Sequence, residues 1–151
     1  DEIASQKIKD IPLDKAIRIG KGPNKVIEFT DPDCPFSRKA STFFKGREDV
    51  TRYVFFFPLP SHRDAEQKIR FILCSNEQEK SYQEVMEGKL DGKTVDTCGK
   101  DSVSATMREH KEIATKAGIN GTPAFWVNGK SVQGANIPAL EALLNQKRSK
   151  R

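Results

Sequence analysis

No apolar run in this chain approaches the length of a membrane-spanning helix, which removes the helical membrane classes. Repeats and low-complexity segments are missing too. Sulfur and imidazole are sparse, with three cysteines (Cys34, Cys74 and Cys98) and two histidines (His62 and His110). Neither Cys74 nor Cys98 lies in a tight Cys-x-x-Cys pair, and the histidines add no ligand spacing. A zinc site is therefore not expected, nor any other metal or cofactor. His62 and His110 read as partly exposed helix or loop residues. An odd cysteine count leaves at least one thiol unpaired within the chain. No secretory signal opens the chain at Asp1-Glu2, as would also hold for a secreted protein after processing.

A strong charge of one sign is lacking as well. The formal charge is +5, but four positive charges sit in the terminal "KRSKR" (Lys147, Arg148, Lys150, Arg151), which leaves 26 − 4 = 22 basic against 21 acidic residues. The body is nearly neutral, and a short basic tail is ordinarily solvated, so nucleic-acid binding is disfavoured. What remains is a normal soluble composition, 36% hydrophobic and 31% charged, in a length that fits one domain with a real core.

The organisation divides into a linker-like segment over residues 1–15, a folded domain over 16–146 and a basic tail over 147–151. "SQKIKDIPLDKAI" reads as a short helix interrupted near Pro12. A Gly-Pro-Asn turn precedes a strand over Lys25 to Thr30, stopped by Pro32. Pro35 suits the first position of a helix, with Phe36, Ala40, Phe43 and Phe44 on one face. "VTRYVFFF" is the next strand. Ser61 and Asp64 form a capping-box pattern before a helix with the stripe Ala65, Ile69, Ile72 and Leu73. A short helix over "SYQEVMEGK" ends near Gly88. A longer one carries Val103, Met107, Ala114 and Ala117 on its apolar side and stops at Gly118. Asn128-Gly129 predicts a two-residue hairpin, and a last helix runs from Pro138 to about Gln146. Strand, helix, strand, a block of helices, hairpin and helix imply an α/β fold around one mixed sheet.

The chemistry concentrates at "TDPDCPFSRKA". Cys34 sits where a strand hands over to a helix. The first-turn N–H groups and the helix dipole there favour a thiolate, a better nucleophile than the thiol. Asp31 and Asp33 oppose this, and exposure is expected to let the helix win. Turn-forming Pro32, Asp33 and Pro35 argue against a buried, inert cysteine.

"VIEFTDPDCPFS" together with "FFP", "AEQKIRFILCS", "VDTC" and "GINGTPAFWVNGK" resembles the thioredoxin superfamily. In particular it resembles the catalytic domain of bacterial periplasmic disulfide isomerases of the DsbC/DsbG family, over about Ala16 to Gln146. The resemblance implies a thioredoxin fold with a helical insertion between the second strand and a cis-proline loop. It implies Cys34 as the attacking cysteine and Pro123 as the cis-proline. Thr122 would offer its backbone to an extended substrate, with Phe36 beside it. Cys74 and Cys98 would form a structural disulfide, which belongs in an oxidising compartment. Glu28, six residues before Cys34, would be a buried acid that passes protons to the resolving cysteine. Without a cationic partner such a group is held neutral.

Ser37 departs from the pattern, since it occupies the resolving position. An alcohol cannot release a mixed disulfide, so net oxidation or reduction through an internal bond is lost while reshuffling by client thiols survives. Ser37 reads as an engineered replacement of the resolving cysteine, with a natural monothiol protein as the alternative. The expected function is thiol:disulfide interchange, as isomerase or reductase, on unfolded or misoxidised secreted proteins in the periplasm. A membrane thiol reductase of the DsbD type would be a partner. The rivals are a redox-silent thioredoxin-fold binding module and a monothiol, glutathione-removing enzyme. The family's N-terminal dimerisation domain is not in this sequence, which leaves dimerisation open.

Overall fold

The structure, a computed structural model, describes residues 8–146. The basic tail and the first seven residues of the linker-like segment lie outside the described residues. A 3-10 turn over Leu13–Lys15 follows Pro12 and leads into β1 (Ile17–Ile19), then β2 (Asn24–Thr30) and α1 (Pro35–Lys45). Next come β3 (Val50–Phe56), α2 (Ala65–Cys74), α3 (Gln78–Met86) and α4 (Asp101–Lys116). The hairpin β4 (Ala124–Val127) and β5 (Lys130–Gln133) precedes α5 (Ile137–Asn145). The sheet order is β1-β3-β2-β4-β5. Only β2 and β3 run parallel, with Thr30 opposite Phe56, and the other neighbours are antiparallel. This is the expected mixed sheet of a thioredoxin fold, with helices between β3 and the loop that opens β4.

β1 was not foreseen. Three residues, with the exposed Arg18 between buried Ile17 and Ile19, are too few to show a period, and only pairing with the edge of β3 makes them a strand. The hairpin forms as its sequence requires, because Asn128 (φ 48°) and Gly129 (φ 89°) both adopt the left-handed region that a two-residue turn of this twist demands. The capping box does not form. α2 begins at Ala65, its N-cap is Asp64, and no side chain caps it. α3 starts at Gln78, a turn earlier than "SYQEVM" implied.

Alternation along the strands sends side chains to two apolar layers. On one face Ile27, Phe29, Phe55, Ala124 and Trp126 pack with Ala114 and Ala117 at the end of α4 and with Ile11. On the other face Val26, Phe125 and Val127 meet Ala40 and Phe44 of α1 and Leu140 and Leu144 of α5. Ile17, Ile19, Val54 and Phe56 meet α2 and α3 through Ile69, Ile72, Tyr82 and Val85. Each such side chain fully buried contributes about 1.5–3 kcal/mol, which fixes α1 against the sheet and so fixes the position of its first turn.

His62 is partly exposed as expected, and His110 is not. It lies on α4, fully buried between the rings of Phe55 and Phe56. Nδ1 accepts from the Phe56 N–H at 3.0 Å, and Nε2 donates to the Lys15 carbonyl at 2.6 Å. Burial holds its pKa below the usual imidazole range, against the bond to Lys15, which favours the charged form. His110 therefore pins the 3-10 turn before β1 to the end of β3, a role that its spacing in the sequence does not reveal.

Candidate active site

The C-terminal end of β2, the start of α1 and the loop before β4 converge on Cys34. Cys34 is the N-cap of α1, with Pro35 at the first helical position. Its backbone N–H donates to the Asp31 carbonyl at 3.0 Å, which closes the turn between strand and helix. The thiol is only 4% exposed, so the expectation of an exposed cysteine is overturned. The turn chemistry around it is present, but the loop that carries Thr122 folds over it. The Cys34 thiol donates to the Thr122 carbonyl at 3.6 Å, and the Thr122–Pro123 peptide bond is cis. The Thr122 hydroxyl is buried without a hydrogen-bond partner.

Phe36 leaves the apolar face assigned to it. It is 63% exposed, the exposed large hydrophobic side chain among the described residues. The buried face of α1 is instead Ser37, Ala40, Ser41 and Phe44, spaced i, i+3, i+4 and i+7. Ser37 is thus turned inward, and its Oγ accepts from the Asp31 N–H at 3.4 Å.

Both carboxylates expected to oppose the thiolate have cationic or hydrogen-bonding partners. Asp31 is fully buried. Its Oδ2 meets His62 Nδ1 at 2.6 Å and the Leu59 N–H at 2.8 Å, and its Oδ1 accepts from the Asp33 N–H at 2.9 Å. His62 reaches it because β2 and β3 are parallel neighbours that end side by side, with the Phe57 N–H on the Thr30 carbonyl at 2.8 Å. Asp33 pairs with Arg38 at 3.3 Å and with Lys68. Arg38 and Lys68 were not singled out from the sequence, and His62 was read there only as a partly exposed histidine. Asp33 precedes the helix and lies five residues before Arg38, so no helical pairing rule joins the two in the sequence. For Lys68 the signal was misleading, because a lysine inside a stripe of buried positions reads as its solvated edge.

Glu28 is a correction as well. It points inward and is fully buried, as expected, but it is not a lone acid. Arg52 Nε and Nη2 hold its two oxygens at 2.7 and 3.0 Å, and the Tyr82 hydroxyl is 3.5 Å away. The guanidinium is sandwiched between the rings of Phe44 and Tyr82 at 4.7 and 5.4 Å. Burial alone would lower the pKa of Arg52, and the Glu28 carboxylate more than reverses this, so the group is held above its ordinary value. Tyr82 is pushed up by burial and by Glu28. A bidentate pair of this kind ties both carboxylate oxygens of Glu28 to one guanidinium.

Cys74 and Cys98 form a disulfide across a sequence separation of 24, and Cys34 is the free thiol. The bond ties the end of α2 to the segment before α4 and encloses α3.

Residues 13–148 match the family model described as a thioredoxin-like domain. A protein of Bordetella avium described as a probable thiol:disulfide interchange protein DsbC is 26% identical over 143 residues, which cover 93% of this chain and 49% of that protein. The chain therefore spans about half the length of such curated relatives. A crystal structure of a disulfide interchange protein from Neisseria gonorrhoeae superposes with a TM-score of 0.72 at 32% identity, covering 88% of this chain and 95% of that one. The thiol-disulfide exchange protein alpha-DsbA2 of Wolbachia pipientis shares the fold, with a TM-score of 0.73 at 13% identity.

Proposed function

Because this chain belongs to the thioredoxin-like domain family, among its thiol:disulfide interchange proteins, we propose that residues 16–146 are a catalytic unit in which Cys34 attacks client disulfides. The observation that carries this reading is a single free thiol at the N-terminus of α1, 3.6 Å from the Thr122 carbonyl. In the step proposed, the Cys34 thiolate bonds to one client sulfur, the client S–S bond breaks, and the second client sulfur leaves with the electron pair and takes a proton from solvent. A client thiolate then displaces Cys34, so that a wrong disulfide is exchanged for another with no net change in oxidation state. This is isomerisation. A reductase outcome through an internal disulfide needs a second thiol beside Cys34, and Ser37 has none to offer. We read Ser37 as a replacement of the resolving cysteine, since it is buried at the inward position of the first turn while the rest of the site is assembled around it.

Phe36, exposed beside the thiol, and the Thr122-Pro123 loop form the proposed client surface. The Thr122 backbone would pair with an extended chain, which reads backbone rather than sequence and suits a range of unfolded or misoxidised secreted proteins. Glu28 has no second thiol to serve while residue 37 is serine, and its pairing with Arg52 assigns it to the support of α1 and α3. The Cys74–Cys98 bond fits an oxidising compartment, here the periplasm, where a membrane reductase of the DsbD type would keep Cys34 reduced. Burial of Cys34 and the serine at 37 favour a second reading, a thioredoxin-fold module that holds unfolded chains without redox chemistry.

The decay of a purified mixed disulfide between Cys34 and a client peptide separates the two. The parent should form a long-lived adduct. Ser37→Cys should release it rapidly, form an internal bond between Cys34 and the restored thiol, and reduce insulin when supplied with a reductant. Equally slow decay with no internal bond would replace the catalytic reading by the binding module.

A further inference from the structure

Four charged side chains from four separate segments meet against the peptide that carries Cys34. Asp33 precedes it, Arg38 lies one turn along α1, Lys68 comes from α2, and Asp91 comes from the loop after α3. Arg38 and Asp91 form a two-point pair, with Nη1 to Oδ2 and Nη2 to Oδ1 both at 2.7 Å. Arg38 also donates from Nε to the Pro32 carbonyl at 2.7 Å and faces Asp33 at 3.3 Å. Lys68 Nζ touches Asp33, and reaches Asp91 Oδ1 at 2.7 Å. Its side chain is 7% exposed, an unusual position for an ammonium group unless it is paired.

The loop is shaped for this contact. Gly88 has φ +80°, and a Cβ there would lie 3.2 Å from Asp91 Oδ2 and 3.4 Å from Arg38 Nη1. The Asp91 N–H closes the turn on the Gly88 carbonyl at 3.2 Å. Asp91 lies in the segment that the Cys74–Cys98 bond closes. Burial pulls Lys68 down, and the bonds from Asp33 and Asp91 outweigh it. Bonds from Arg38 and Lys68 hold the Asp91 carboxyl well below the usual range. Two acidic and two basic side chains thus meet, and their formal charges sum to zero.

We propose that Lys68 and Asp91 are positioning residues for Cys34, acting through Asp33 and Arg38 to set the net charge that the attacking sulfur meets as it ionises. The inference rests on the reading of Cys34 as the nucleophile. Lys68 cancels the carboxylate next to the thiol, and Asp91 prevents the two cations from overcompensating. Asp31 and His62 are further titratable groups at the site; they contact each other, and neither makes a hydrogen bond or ion pair to Lys68 or Asp91. The Thr122-Pro123 loop adds no titratable group.

The signs follow from charge counting. Lys68→Met leaves a net negative charge beside the sulfur and disfavours the thiolate. Asp91→Asn leaves a net positive charge and favours it. A change of one charge in this network is expected to move the titration midpoint by a fraction of a pH unit.

The test is the pH dependence of Cys34 alkylation by iodoacetamide in the full chain, with the Cys74–Cys98 bond intact so that one thiol reacts. The midpoint should rise in Lys68→Met, fall in Asp91→Asn, and return to the parental value in the double variant and in Lys68→Arg. Burial of Cys34 is common to the parent and the variants, so the comparison between them reads the change in charge. A structural role alone, in which either change loosens the loop, would move both single variants the same way or not at all, and either result overturns the proposal. Urea midpoints measured alongside keep an unfolded variant from passing as a shift. A parent that titrates as described but forms no mixed disulfide would refute the proposed function while these shifts remain readable.

Discussion

Replacing Glu28 by glutamine removes one charge from the middle of the sheet and leaves nearly all atoms in place. Glu28 is fully buried, and Arg52 has a side-chain exposure of 3%. In the parent, Nε and Nη2 of Arg52 point at the two carboxylate oxygens, and Nη2 also reaches the Tyr82 hydroxyl at 3.3 Å. Glutamine offers one carbonyl oxygen in place of two charged ones, and its NH2 faces a guanidinium donor. Arg52 cannot shed its proton, so Glu28→Gln strands a charge between Phe44 and Tyr82. Breaking one side of such a buried pair costs about 3–5 kcal/mol. For a chain of this size each kcal/mol lowers Tm by about 2–4 °C, so a loss of roughly 6–20 °C is expected. Urea and thermal denaturation followed by circular dichroism, with the disulfide intact, give the value. The double variant Glu28→Leu/Arg52→Met should recover most of the loss, because apolar groups of similar volume leave nothing unpaired. A Tm within about 2 °C of the parent for Glu28→Gln, or a double variant as unstable as the two single changes summed, would refute the account of Glu28 as half of a buried ion pair.

The Cys74–Cys98 bond, closing a loop over a separation of 24, should stabilise the chain by about 3.5 kcal/mol on the chain-entropy relation. Its reduction should lower the urea midpoint accordingly, and thiol titration under denaturing, non-reducing conditions should find one group, Cys34; finding three would contradict the pairing. His110 gives a pH dependence of definite sign. Its pKa is lowered in the folded state by burial, so the unfolded chain binds the extra proton first. The stability this contributes is fully present above the unfolded value of about 6.5 and is lost as pH falls below it toward the folded value. Urea midpoints at pH 7.5 and 5 should diverge in the parent and diverge less in His110→Gln; an equal fall in both would assign the acid sensitivity to other groups.

Local chemistry was enough to read the frame of this protein. Pro35 after a strand marked the start of α1, Asn128-Gly129 marked the hairpin, and the order of strands and helices marked a mixed sheet, because each depends on backbone preferences within a few residues. The place of Cys34 at a helix N-terminus was legible for the same reason. Its burial was not, because the Thr122 loop that covers it is 88 residues away in sequence. The partners of the charged groups were also hidden. Glu28 gains Arg52 only through the β2–β3 register, and Asp31 gains His62 only because those parallel strands end together. Lys68 is buried only because Asp33 and the exposed Asp91, from two other segments, pair with its ammonium group. Periodicity assigns a residue to the inside or outside of its own element. Whether a buried charge is neutralised, and by what, depends on which other elements pack against it, and that is decided by the tertiary structure alone.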